Sequence, residues 1–126
     1  MPPGMHPSVP PRASRPWRLV FWAFLLLVMA LSLGPTTPET PGTGWDKTNH
    51  LLAFAVLACL GCHSYAASVG RVMAGLLLYG GLIELLQSFT PDRLAEWGDV
   101  LADALGLLLG WAVMRLVLLV RRRVGG

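Results

Sequence analysis

Four apolar blocks divide the chain, at residues 17–33, 51–68, 72–89 and 100–120. Each meets or grazes the roughly 17–25 residues that a helix needs to cross a bilayer. None alternates apolar and polar positions as a half-buried strand does. In lipid a helix satisfies its own backbone, whereas a lone strand leaves its polar groups bare. The pattern predicts an all-α polytopic membrane protein, a bundle of four transmembrane helices. Gly34-Pro35 closes the first block. An irregular Pro-, Thr- and Gly-rich connection over 34–49 follows, then a short turn around Gly70 and an outer loop over 90–98.

Outside the blocks little is left to bury. Residues 1–16 form a Pro-rich tail, with Pro2, Pro3, Pro7, Pro10 and Pro11, read as disordered or extended. Residues 17–120 make the transmembrane domain, and 121–126 a basic C-terminal tail. The first block follows basic residues, and Ala30-Leu31-Ser32 offers a small-x-small cleavage site, so a signal peptide is the competing reading. The block is long for a signal core, and Trp17 and Trp22 suit a retained interfacial end. It is read as an uncleaved helix.

Composition agrees and adds orientation. Only 13% of the 126 residues are charged and 54% are hydrophobic, against roughly 25% and 45–50% in soluble domains. A soluble enzyme, a disordered chain and a disulfide scaffold are thereby disfavoured. With the N-terminus inside, the inner side holds Arg12, Arg15, Arg18, Arg71, Arg115, Arg121, Arg122 and Arg123, and the outer side only Lys47 and Arg93. Lys and Arg accumulate on the cytoplasmic side, so both termini are expected there. Arg115 lies near the inner end of the fourth block, where it can snorkel.

Against that frame, a few polar residues stand out. Glu84 and Asp103 sit inside apolar blocks. A charge in lipid costs about 2.5 kcal/mol or more, so such residues turn inward and find partners. At about 1.5 Å per residue, Glu84 lies roughly 7–8 Å below the outer end of its helix and Asp103 about 6 Å below the start of the next. The second helix begins at the same level with Asp46, Lys47 and His50. Asp46 and His50, like Asp99 and Asp103, are four apart, and Glu84 and Gln87 three apart, so each pair shares a helix face. Gly106 and Gly110 continue the Asp103 stripe and let another helix approach closely. The expected result is an outward-open pocket of Asp46, Lys47, His50, Glu84, Gln87, Arg93, Asp99 and Asp103, lined by the second, third and fourth helices and roofed by 90–98.

The available chemistry is broad. His50 suits acid–base work. Glu84, Asp99 and Asp103 can share a proton or bind a hard divalent cation. Lys47 and Arg93 can hold a phosphate or carboxylate. No activated nucleophile is evident, no residue is assigned a catalytic role, and no resident metal or cofactor is expected. A purely structural polar clamp between helices is the plain alternative.

Other signals are discounted. Cys59-x-x-Cys62-His63 matches the c-type haem attachment pattern, but it falls in the inner half of the second helix, away from the side where haem is attached. Two buried thiols and an interfacial His are the simpler reading. Gly75, Gly80 and Gly81 are expected to permit close helix packing. No nucleic-acid module is present. The basic C-terminus suits anionic lipid.

The run Asp46-Lys47-x-x-His50-x-x-x-Phe54 resembles the opening signature of the VanZ-like family of small bacterial membrane proteins. Glu84-x-x-Gln87-x-x-x-Pro91-x-Arg93, followed by Asp99-x-x-x-Asp103-x-x-Gly106, resembles its second. The family usually carries Asn where this chain has Asp103. The resemblance implies a multi-pass protein of the bacterial cytoplasmic (inner) membrane with an envelope-related role. The family takes its name from a protein associated with low-level resistance to the glycopeptide teicoplanin, and it supplies no reaction. The expected function is to bind or handle an envelope component, a lipid headgroup or lipid-linked glycan precursor of anionic character. The alternatives are a membrane enzyme acting on a lipid-linked substrate by acid–base or metal-assisted chemistry, and a structural protein that oligomerises or joins a partner membrane protein.

Overall fold

The computed structural model describes residues 14–34, 44–89 and 97–125. Four helices make up nearly all of them: α1 (Ser14–Leu33), α2 (Gly44–Ser64), α3 (Val69–Ser88) and α4 (Trp97–Gly125). A single 3₁₀ turn, Ala66–Ser68, links α2 to α3. The chain is all-helical over these residues, as the block pattern predicts. Among the described residues, three stretches are long and apolar enough to cross a membrane: Arg15–Leu33, Ala66–Ser88 and Trp97–Gly125. The expectation of four such helices meets a difference at α2, whose first two turns hold Asp46, Lys47, Thr48, Asn49 and His50.

Three boundaries depart from the expected ones. The helix of α2 starts at Gly44, so the connection expected over 34–49 is helical from that point. No proline interrupts residues 42–64, and the Asp46–His50–Phe54 spacing carries the helical register outward through polar residues. The turn before α3 centres on Tyr65 to Ser68 instead of Gly70. It is closed by Tyr65 N–H on the Gly61 carbonyl and Ser68 N–H on the Tyr65 carbonyl, each at 2.9 Å. Finally, Arg121, Arg122 and Arg123 belong to the end of α4, where cations complement the helix dipole. The tail over 1–13 and the roof over 90–96 lie outside the described residues.

The pairing of residues gives the helix directions. Along α2 and α4, Lys47 meets Gly98, His50 meets Asp103, Leu51 meets Gly106 and Ala55 meets Gly110. Both numbers rise together, so the two helices run parallel. Along α1 and α3, Leu25 pairs with Tyr79 and Ser32 with Gln87, again in the same sense. Arg18 on α1 reaches Ser64 at the far end of α2, so those two run antiparallel. The bundle is therefore up-down-up-down.

The tightest contact is between α2 and α4. A Cβ added at Gly106 would stand 2.3 Å from the Leu51 carbonyl oxygen, and one at Gly110 would stand 2.3 Å from that of Ala55. Small residues let helix backbones approach this closely, and in lipid such packing is a main source of association. The expected close approach at Gly106 and Gly110 is found, with α2 as the partner. The expectation for α3 holds only at Gly80, since Gly75 and Gly81 have no atom within 4 Å of an added Cβ.

Phe54, Leu57, Leu76, Ile83 and Leu107 form the interior with Phe21 and Val28. Large apolar side chains elsewhere face outward, among them Leu19, Leu26, Leu78, Leu101, Leu108 and Leu116. In water a surface of this kind aggregates; in lipid it is the ordinary exterior of a bundle.

Candidate functional site

The bundle brings its described acids to one end. Glu84 enters from the last turns of α3, and Asp99 and Asp103 from the first turns of α4. His50 enters from α2. The arginines gather at the other end, with Arg15 and Arg18 on α1, Arg71 at the start of α3, and Arg115 and Arg121–Arg123 on α4. Lys47 is the one described base at the acidic end.

The centre of this cluster is the contact of His50 Nδ1 with Asp103 Oδ1 at 2.9 Å. The Asp103 side chain is fully buried and that of His50 is 13% exposed. The parallel packing of α2 on α4 sets this contact, because Gly106 lies one turn beyond Asp103 and admits the α2 backbone beside Leu51. Gly80 supplies the remaining room. An added Cβ there would stand 2.7 Å from Asp103 Oδ2 and 3.2 Å from the Phe54 ring. A side chain at position 80 would displace the carboxylate.

Glu84, Gln87 and Asp99 are buried around this pair. One ligand atom each of His50, Glu84 and Asp99 lie within 4.8 Å of one another. Thus three helices converge on a space of atomic dimensions, with Asp99 and Asp103 four apart on one face of α4. Asp99 is in the first turn of α4, where the helix N-terminus favours negative charge.

Other members of the predicted set fall elsewhere. Gln87 is buried, but its Nε2 donates to the Ser32 carbonyl at 2.9 Å and so ties α3 to the end of α1. Lys47 is exposed, and its aliphatic stem passes over Gly98 at the start of α4. Asp46 lies in α2, with a side chain outside the described residues. Arg93 is outside them altogether.

The sequence reading missed the part played by α1. Beside His50 runs a cleft of about 450 Å³ between α1 and α2, walled by Phe24, Val28, Leu31, Ala53 and Phe54, with Ser32 and Asn49 as further polar edges. The expected lining by the second, third and fourth helices describes the polar cluster, whereas the adjoining cleft belongs to the first and second. Tyr79 likewise donates its hydroxyl to the Leu25 carbonyl of α1. Backbone acceptors on an apolar helix leave no mark in the residue pattern.

The cysteine motif is structural in its surroundings. Cys59 and Cys62 are free thiols. Cys59 Sγ points at the Gly110 carbonyl at 3.4 Å, Cys62 is buried, and His63 packs edge-on against Trp17. At the same end Arg18 Nε donates to the Ser64 carbonyl at 3.2 Å and lies over the Tyr65 ring.

No curated protein matches the chain, and no solved structure does. The sequence model of the VanZ/LLP1 family matches residues 13–119, which takes in α1 to α3, α4 as far as Leu119, and every residue of the polar cluster. The chain belongs to the VanZ/LLP1 family.

Proposed function

We propose that this protein is a multi-pass protein of the bacterial cytoplasmic membrane whose outward polar site binds or handles an envelope component. The component is a lipid headgroup or lipid-linked glycan precursor with anionic character, and glycopeptide susceptibility is one phenotype it would influence. The observation that carries the reading is the convergence of His50, Glu84, Asp99 and Asp103 from three helices at one end of an apolar bundle. A clamp that only locked helices would need one satisfied pair. Here several ionisable groups are gathered where each is costly to bury, beside a cleft open along α1.

In this reading all four helices span. What supports α2 as the fourth is its parallel course beside α4, from Lys47 and Gly98 to Cys59 and Gly110. Two helices that travel together over that length cross the same depth. The gathering of arginines at the opposite end supports cytoplasmic termini. Lys47 and Arg93 meet the anion, and His50 orients it.

The test is an envelope phenotype, teicoplanin susceptibility included, in a strain that carries Glu84→Gln or Arg93→Ala in place of the wild-type chain. Loss of the phenotype at unchanged protein level is expected. If both variants behave as wild type, the pocket reading fails. If Glu84→Gln instead lowers accumulation, the residue serves assembly.

A further inference from the structure

We infer that His50, Glu84 and Asp99 form a binding site for a divalent first-row transition-metal ion, zinc or manganese, with Asp103 as the group that orients His50. The inference rests on the same cluster as the proposed function but needs no envelope ligand.

The three residues come from α2, α3 and α4, and their ligand atoms lie within 4.8 Å of one another. Bonds of about 2.0–2.2 Å to an ion place neighbouring donors roughly 3–4 Å apart, so a side-chain adjustment of about 1 Å closes the cluster on it. One imidazole with two carboxylates is a mixed nitrogen and oxygen donor set. Imidazole suits zinc, and carboxylate suits manganese and magnesium. The nitrogen favours the transition metals over magnesium or calcium.

Asp103 supplies an independent observation. Its side chain is 0% exposed, and one oxygen holds His50 Nδ1. The other, Oδ2, has no hydrogen-bond partner among the described residues. It lies beside Gly80, one turn before Glu84 on the same helix. Carboxylate on one ring nitrogen is the usual support of a metal-bound histidine, because it fixes the ring and leaves the other lone pair for the ion.

The experiment uses the full chain, purified in detergent with a tag that binds no metal and stripped with chelator. Zinc or manganese alone is added, followed by removal of free ion, elemental analysis by mass spectrometry, and thermal unfolding with and without the ion. We expect about one ion per chain and a raised unfolding temperature, as for any ligand that binds only the folded state. Glu84→Gln and Asp99→Asn should each lose most of the ion and of the shift. Asp103→Asn should keep the ligands but weaken affinity by about 10–100-fold. Should one variant fail to fold, the other two still decide the matter. The inference is overturned if the wild type takes up no stoichiometric ion, or if uptake survives Glu84→Gln and Asp99→Asn undiminished, whether or not it disappears in Cys59→Ser/Cys62→Ser. A wild type that binds no metal while Glu84→Gln still loses the envelope phenotype removes the metal and leaves the proposed function standing. Metal binding without any phenotype in the variants does the reverse.

Discussion

Asp103 Oδ1 stands 2.9 Å from His50 Nδ1, across 53 positions of sequence, and joins the polar turn of α2 to the first turns of α4. Both partners are sheltered, Asp103 completely. Removing one member of a buried pair leaves the other desolvated, which costs more than the bond itself contributes.

Asp103→Asn and Asp103→Ala should therefore behave differently. The Asn carbonyl oxygen can accept from His50 Nδ1–H as the carboxylate does, so the unfolding temperature should stay near that of the wild type. Alanine leaves His50 without this acceptor, and a loss of about 2–4 kcal/mol is expected. Thermal unfolding of both proteins in one detergent makes the comparison. Equal and large losses would sink the account, since the carboxylate charge and not the hydrogen bond would then be the stabilising feature.

The glycines should separate into two classes under alanine substitution. At Gly106 the new methyl would lie 2.3 Å from a backbone carbonyl, which cannot move without shifting α2. Overpacking of this kind costs about 1–3 kcal/mol. Gly75→Ala and Gly81→Ala meet nothing within 4 Å and should be neutral or stabilising by roughly 0.5–1 kcal/mol, since alanine is the better helix former. The ranking is read from midpoints of thermal or denaturant unfolding.

Gly80→Ala should act on the site as well as the fold. Its methyl would fall 2.7 Å from Asp103 Oδ2 and push the carboxylate off His50. We expect the envelope phenotype to weaken more than protein level does. Immunoblot and susceptibility measured in one culture test this. A phenotype that tracks protein level alone would mean that the position matters only for packing.

Gln87→Leu should loosen α1 without touching the His50–Asp103 contact. It removes the bond from Nε2 to the Ser32 carbonyl and leaves a partly buried acceptor unmet, at about 1–3 kcal/mol. Hydrogen exchange should rise at the end of α1 and remain unchanged at the start of α4. Exchange that rises equally at both ends would overturn this division of roles.

Orientation is open to a labelling test. In a Cys59→Ser/Cys62→Ser background, Lys47→Cys should react with an impermeant maleimide on intact cells. Arg122→Cys should react only after the membrane is opened. The reverse pattern inverts the topology and moves the acidic end to the cytoplasm.

Much of this arrangement is legible in the residue pattern, for physical reasons that also set its limits. The helices α1, α3 and α4 follow from long, predominantly apolar runs. The faces of the site follow from spacing, since residues four apart, such as Asp99 and Asp103, must share a side of a helix. Spacing does not say which helix a face meets, so the partnership of His50 with Asp103, and of Gly106 with Leu51, had to come from the fold. The start of α2 was hidden because its first turns are polar, and hydropathy reads a polar turn of helix as a loop. The contribution of α1 was hidden because it acts through the carbonyls of Leu25 and Ser32, which every residue possesses.

The course of α2 bears on how the molecule is made. It lies against α4 along half its length, yet it is not among the stretches apolar enough to cross a membrane unaided. The helix it leans on is synthesised after it, beyond α3. A nascent chain must hold α2 uncommitted until some fifty further residues (roughly the gap from Lys47 to Gly98) have appeared. A chain stopped after Phe89 should leave residues 44–64 open to protease, and a chain that continues through α4 should shield them. Protection in both would mean that α2 enters without α4. On this account the emergence of α4 and the completion of the site are a single late event, so copies that lack α4 would carry no half-built polar cluster into the bilayer.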